Sequence, residues 1–183
     1  MADVEHVCEF AIGETLVGRA IGPPNKQAID RKRDITMTPP TLRVLALREN
    51  AILPAYGSAH AAGADLCACI GEPWSFQPGE TRLVPTGLAV EIPAGYAGLI
   101  YARSGLAAKR GLAPANKVGV VDADYRGEVM VALHNHAGTA QEIQPGERIA
   151  QLVVTPFLQV HYEWSEALED TARGAGGFGS TGR

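Results

Sequence analysis

Four short polar stretches interrupt a largely apolar chain, and their residue types suit the handling of an anion. In "ARSGLAAKRG", Arg103, Ser104 and the amide of Gly105 stand just before a short helical run, so a guanidinium fork, a hydroxyl and helix-start amides would converge on one anion. Ser104 as a plain N-cap explains the same stretch equally well. In "AAGADL", Asp65 follows small residues at a strand entrance, where a half-buried carboxylate must be hydrogen-bonded or lie near a cation. In "NKVGVVDADYRGEVMV", two apolar runs flank "DADYRG", the pattern of a β-hairpin that offers backbone donors and acceptors to a ligand beside it. Asp122, Asp124, Tyr125 and Arg126 are also ordinary turn residues. In "GERIAQLVV", Gln151 puts an amide on an otherwise apolar strand, where it is expected to face water.

The segment "RGAGGFGSTGR", residues 173–183, contains five glycines, two arginines, one phenylalanine and two hydroxyl residues. Glycine at that density resists ordering, and a disordered tail is the simplest reading. "GAGGFG" matches a dinucleotide fingerprint in form, but that motif needs a strand before it and a helix after it, and only four residues follow Gly179. A phosphate loop needs a lysine where Gly179 stands. A cation, a flat apolar ring and hydroxyl donors on a pliable backbone remain, a set able to close over a planar, phosphorylated ligand.

The elements that must position these residues are short. From Thr41 onward, runs such as "TLRVLALRE", "ADLCACI", "YAGLIYAR", "EVMVALHN", "RIAQLVVTPF" and "LQVHYEW" alternate with turns, including "QPGE" twice. This spacing predicts a compact all-β jelly-roll-like domain. Only residues 104–111 look helical. Residues 1–36 are more polar and carry the basic cluster Arg31-Lys32-Arg33, so they are expected to be a poorly ordered extension. Met37 is a sensible alternative start for the folded unit.

The chain has 183 residues, enough for one well-buried domain. A net charge of −4 gives no electrostatic reason to bind nucleic acid polymer, so any polyanion it handles is expected to be small. No apolar run is long enough to cross a membrane, and Asp3, Glu5, Glu9 and Glu14 are unlike a leader, which points to the cytoplasm. Cys8, Cys67 and Cys69 are an odd set, best read as reduced thiols. Period 2 puts Cys67 with Cys69 on one strand face and His134 with His136 on another. A zinc site could be assembled from the two pairs only if the fold brought them together, and core thiols and edge-strand histidines are the default.

The ordered set AGADL, RSGLA, N-x-x-G-V-V-D-A-D-Y-R-G-E, G-E-R-I-A-Q and R-x-x-G-G-F-G-S-T-G resembles the five motifs of the trimeric dUTPases, and the resemblance spans about residues 41–182. It implies an all-β, jelly-roll-like β-barrel of the dUTPase type over residues 37–165, with one short helix and a flexible C-terminal lid over 166–183. It implies a homotrimer with shared sites that hydrolyses dUTP to dUMP and pyrophosphate with Mg²⁺. Asp122 matches the carboxylate that activates water. Arg103, Ser104, Gly105 and Gln151 match phosphate contacts, and Asp65 matches a carboxylate acting on the metal through water, since Mg²⁺ in such sites keeps waters. Asn116, Val120, Val121 and Met130 match base and sugar contacts, and Tyr125 the ring beneath the deoxyribose. In the lid, Phe178 matches the ring that stacks on uracil, while Arg173, Gly179, Ser180 and Thr181 match the groups that close on phosphate. Ala64 departs from the pattern, standing where a larger residue is common. Related readings on this fold are dCTP deamination and inert nucleotide binding.

Overall fold

The two QPGE stretches close the same turn. Glu80 N–H donates to Gln77 O at 3.0 Å and Glu147 N–H to Gln144 O at 3.1 Å. Each glutamate side chain then accepts the N–H of its own turn's first residue, Gln77 at 2.7 Å and Gln144 at 2.9 Å. Proline presets one dihedral and glycine supplies the next, so one four-residue sequence reverses the chain twice.

The structure is a computed structural model that describes residues 39–177. The N-terminal extension, Met37 and the lid residues Phe178, Gly179, Ser180 and Thr181 lie outside the described residues. Twelve strands and one helix follow in order: β1 (Arg43–Ala46), β2 (Ala55–Tyr56), β3 (Ala64–Cys67), β4 (Trp74–Phe76), β5 (Thr81–Pro85), β6 (Leu88–Glu91), β7 (Tyr96–Ala102), α1 (Ser104–Arg110), β8 (Leu112–Pro114), β9 (Val118–Val121), β10 (Met130–Asn135), β11 (Gln141–Ile143) and β12 (Arg148–Pro156). They pair as four antiparallel sheets, β1-β6, β5-β10-β8, β11-β4 and β2-β3-β12-β7-β9. Leu66, Phe76, Leu112, Leu133, Ile143 and Ile149 from six strands are fully buried in one core, to which α1 adds Leu106. No helix among the described residues is long and apolar enough to cross a membrane.

Three expectations change. The strands on either side of "DADYRG" do not pair with each other: β9 pairs with β7, and β10 with β5 and β8. The connection therefore steps from one sheet to another, because each strand finds a distant partner. The "LQVHYEW" run forms no strand; Leu158, Val160, Tyr162 and Trp164 are each more than half exposed, with no strand of the described chain beside them. His134 lies on the central strand of its sheet, where its Nδ1 meets Thr81 Oγ1 at 2.7 Å, so it is no edge-strand histidine.

Asn135 is a fully buried polar side chain that ties β10 to β4 and to the turn that follows it. Its Nδ2 donates to Phe76 O and Thr139 O, each at 2.9 Å, and its Oδ1 accepts the Ala137 N–H at 2.9 Å. Asn135→Ala leaves these buried backbone groups unpaired and should cost about 2–4 kcal/mol in urea unfolding.

Candidate active site

The first motif cluster gathers where β3, β12 and the end of β7 meet. Asp65 and Gln151 face each other across the β3–β12 ladder, and Gln151 lies opposite Tyr101 on β7. Asp65 accepts Arg103 Nε at 2.7 Å on one oxygen and Arg148 Nη1 at 3.0 Å on the other. The cation expected near Asp65 is thus a pair of arginines, and the trio carries a net positive charge within an acidic chain. Arg103 has five N–H donors, of which Asp65 and the Arg148 carbonyl at 3.3 Å take two, leaving others for an anion. Ser104 and Gly105 open α1; the N-cap is Arg103, in extended conformation, so Ser104 is not the cap. Gly63, Asp65, Arg103, Ser104, Gly105 and Gln151 line a cavity of about 210 Å³.

Gln151 does not face water. It is half-buried, and its Nε2 donates to Ala102 O at 2.9 Å. Gly63 lies against it so closely that a Cβ there would stand 2.4 Å from Gln151 Oε1. The small residues of "AAGADL" thus admit the amide as well as precede the carboxylate.

The second cluster forms where β9 and β10 part. A cleft of about 360 Å³ is lined by Asn116, Val120, Val121, Asp122, Tyr125 and Met130, with Leu83 and Glu128 beside them. β9 is the outer strand of its sheet, so one of its edges is open for hydrogen bonding to a ligand. Val120, Tyr125 and Met130 are each more than a third exposed, giving the cleft an apolar surface, and exposed Asp122 stands at the end of β9. Tyr125 donates its hydroxyl to Glu128 O at 3.0 Å. Arg48, bonded to both Glu128 oxygens, holds that carboxyl below the ordinary glutamate range, against the opposing effect of burial. A depressed carboxyl stabilises the fold above its unfolded pKa, and this contribution is lost as pH falls through the folded value.

The two clusters share no cavity. Val121 lies opposite Gly98 on β7, whereas Gln151 lies opposite Tyr101 on the other side of the same strand. Three residues along and two strands across place them about 14 Å apart. Arg173 lines neither cavity; its Nε donates to Gly176 O at 2.7 Å. Cys67 and Cys69 are buried, His134 and His136 stack edge-on at 4.3 Å, and no group of three metal-ligating residues occurs among the described residues. Arg148, Gly63, Leu83 and Glu128 were not singled out from sequence. Arg148 sits inside the GERIAQ stretch, where a basic residue beside a strand amide was the available signal.

An all-β fold with a cationic cluster and an apolar cleft closed by a carboxylate is of the nucleotide-handling class. The dUTPase family model matches residues 49–182, and the chain belongs to the dUTPase family. It is 50% identical over 143 residues to deoxyuridine 5'-triphosphate nucleotidohydrolase of Thiobacillus denitrificans, covering 78% of this chain and 98% of that protein. The Hahella chejuensis protein of the same name is 50% identical over 131 residues, 71% of this chain and 86% of that one. Among solved structures, Staphylococcus bacteriophage 80alpha dUTPase with dUPNHPP superposes with a TM-score of 0.71 at 30% identity, covering 78% of this chain and 99% of that one. A mutant of the dUTPase from phage phi11 of S. aureus, whose structure details the coordination of a structural Mg(II) ion, gives a TM-score of 0.64 at 29% identity, covering 72% of this chain and all of that one.

Gly63→Ala should push the Gln151 carboxamide off Ala102. Its side-chain NH₂ signals in an NMR spectrum should shift, and stability should fall by about 1 kcal/mol.

Proposed function

We propose that this chain hydrolyses dUTP to dUMP and pyrophosphate, with Asp122 directing water at the α-phosphorus. The observation that carries the reading is the cleft between β9 and β10, which offers an open strand edge, apolar walls and a carboxylate at its end. Uracil's N3–H and carbonyls meet that edge, with Asn116, Val120 and Val121 beside them, as another peptide strand would; cytosine reverses the pattern at N3 and at position 4. Met130 and Tyr125 pack against the deoxyribose, and the Tyr125 ring leaves no room for a ribose 2′-hydroxyl.

Arg103, Ser104, Gly105 and Gln151 hold the triphosphate, and residues 166–183 close over it. In that lid Phe178 stacks on uracil, and Arg173, Gly179, Ser180 and Thr181 reach phosphate. Mg²⁺ bound with the triphosphate supplies neutralisation of its charge. Asp65 would act toward the metal through water, with each of its oxygens already accepting an arginine donor. In the reaction, a water oxygen bonds to the α-phosphorus, the bridging bond to the β-phosphate breaks, pyrophosphate leaves, and the water proton passes to Asp122.

The family resemblance makes a homotrimer the reading we adopt, with a site taking Asp122 from one chain and the phosphate contacts from another, and the spacing of the clusters supports the sharing. A triphosphate spans only two P–O–P bridges from end to end, and the clusters of one chain lie on opposite sides of β7. The exposed, alternating Leu158, Val160, Tyr162 and Trp164 support the same reading, since a run with strand-like alternation and no partner in its own chain suits pairing with another copy. We place the enzyme in the cytoplasm, with Cys67 and Cys69 reduced, and take residues 37–165 as the catalytic β-domain.

Incubation with dUTP, dCTP and UTP plus Mg²⁺ should release pyrophosphate from dUTP alone; ammonia from dCTP, or no product, would overturn the assignment. Asp122→Asn should keep nucleotide affinity within about tenfold while lowering kcat by at least about 10². Refolding Asp122→Asn chains together with Gln151→Ala chains should restore part of the activity that each lacks alone, and an inactive mixture would contradict shared sites.

A further inference from the structure

The 122–129 connection carries Asp122 and Tyr125, yet no ladder between β9 and β10 holds it in place. Its return end is held instead through two consecutive residues, Glu128 and Val129. Glu128 Oε1 accepts the Gly87 N–H at 2.8 Å and Arg48 Nε at 2.9 Å, while Oε2 accepts Arg48 Nη2 at 3.0 Å. The Gly87 carbonyl in turn accepts the Leu47 N–H at 2.7 Å, which brings Arg48 to the carboxylate. Gly87 can do this because φ is 72° and a Cβ would stand 2.7 Å from Cys69 Sγ, so no other residue fits there without strain. The next residue continues the attachment, with Val129 N–H donating to Leu88 O at 2.7 Å and Thr86 Oγ1 donating to Val129 O at 2.6 Å.

Glu128 also sets the ring above it. The Tyr125 hydroxyl donates to the Glu128 carbonyl, so the depth of the ring in the cleft follows the position of Glu128. A bidentate guanidinium fork fixes a carboxylate in angle as well as distance, which a single hydrogen bond does not. Arg48 does not line the cleft.

We infer that the Arg48–Glu128 fork is a positioning device for sugar selection: it sets the height of the Tyr125 ring and so determines how strictly the site excludes a ribose 2′-hydroxyl. This rests on the proposed role of Tyr125 as the ring beneath the deoxyribose. Arg48 acts through Glu128 and Tyr125 and touches no substrate. Losing the fork frees the ring without removing any group that binds phosphate or directs water.

The test is kcat/KM for dUTP and for UTP, with Mg²⁺, in the full chain. Arg48→Met should raise the UTP-to-dUTP ratio by at least about fivefold, with kcat on dUTP held within about threefold. Arg48→Lys keeps the charge, loses the fork and should give an intermediate ratio, which also serves if Arg48→Met folds poorly. Tyr125→Phe should shift the ratio in the same direction, and combining it with Arg48→Met should add little, as expected when two groups act through one contact. An unchanged ratio in Arg48→Met, even with a lower melting temperature, would overturn the device, as would full additivity with Tyr125→Phe. Tyr125→Ala separates the two readings. A shifted ratio there with none in Arg48→Met rejects the fork alone, and no shift in either rejects the sugar role as well.

Discussion

The register of β7 governs how the two halves of the site are spaced. On one side it pairs with β9, with Gly98 opposite Val121, and this puts Asp122, just past the end of β9, near the start of β7. On the other side it pairs with β12, with Tyr101 opposite Gln151, and this draws the arginines, Ser104 and the amide toward the opposite end. Side-chain period and hydrogen-bond pitch are fixed in a ladder, so neither cluster can approach the other without breaking the central pairing of the sheet. A chain built this way holds a base-sized cleft and an anion cluster as separate parts, and the proposed sharing of a site between chains rests on that separation.

Within each part, polar groups are set before substrate arrives. Asp65 draws Arg103 and Arg148 together, which offsets their mutual repulsion and leaves donors facing outward. Such a partly buried cluster of fixed donors binds an anion with little reorganisation at the moment of binding. The cleft follows the same logic with different materials. Gly87 and Arg48 hold Glu128, Glu128 holds Tyr125, and the unpaired edge of β9 stays available because β10 turned away to join β5 and β8.

Much of this was legible in the residue order. The QPGE turns, the helix after β7 and most strand runs follow from local rules, since proline, glycine and period-2 alternation act over a few residues. The need of Asp65 for a cation was also readable, because a half-buried carboxylate has few alternatives, but that Arg103 and Arg148 would both answer it depends on pairings 38 and 83 residues away. The 116–131 stretch looked like a hairpin because two apolar runs flank a turn; that the runs join different sheets is decided by distant partners and leaves no local trace. "LQVHYEW" has the alternation of a strand but no edge in its own chain to complete it. Glu128 and Gly87 gave no signal, since one sits in a motif as a turn glutamate and the other in a simple turn between β5 and β6.

The central claim is that one site draws on two chains. A crystal structure of the full chain with a non-hydrolysable dUTP analogue and Mg²⁺ tests it most directly. The account predicts the uracil in the β9–β10 cleft of one copy, near Asp122 and Tyr125, and the triphosphate on Arg103, Ser104 and Gln151 of another. A nucleotide bound by both clusters of the same copy would contradict it.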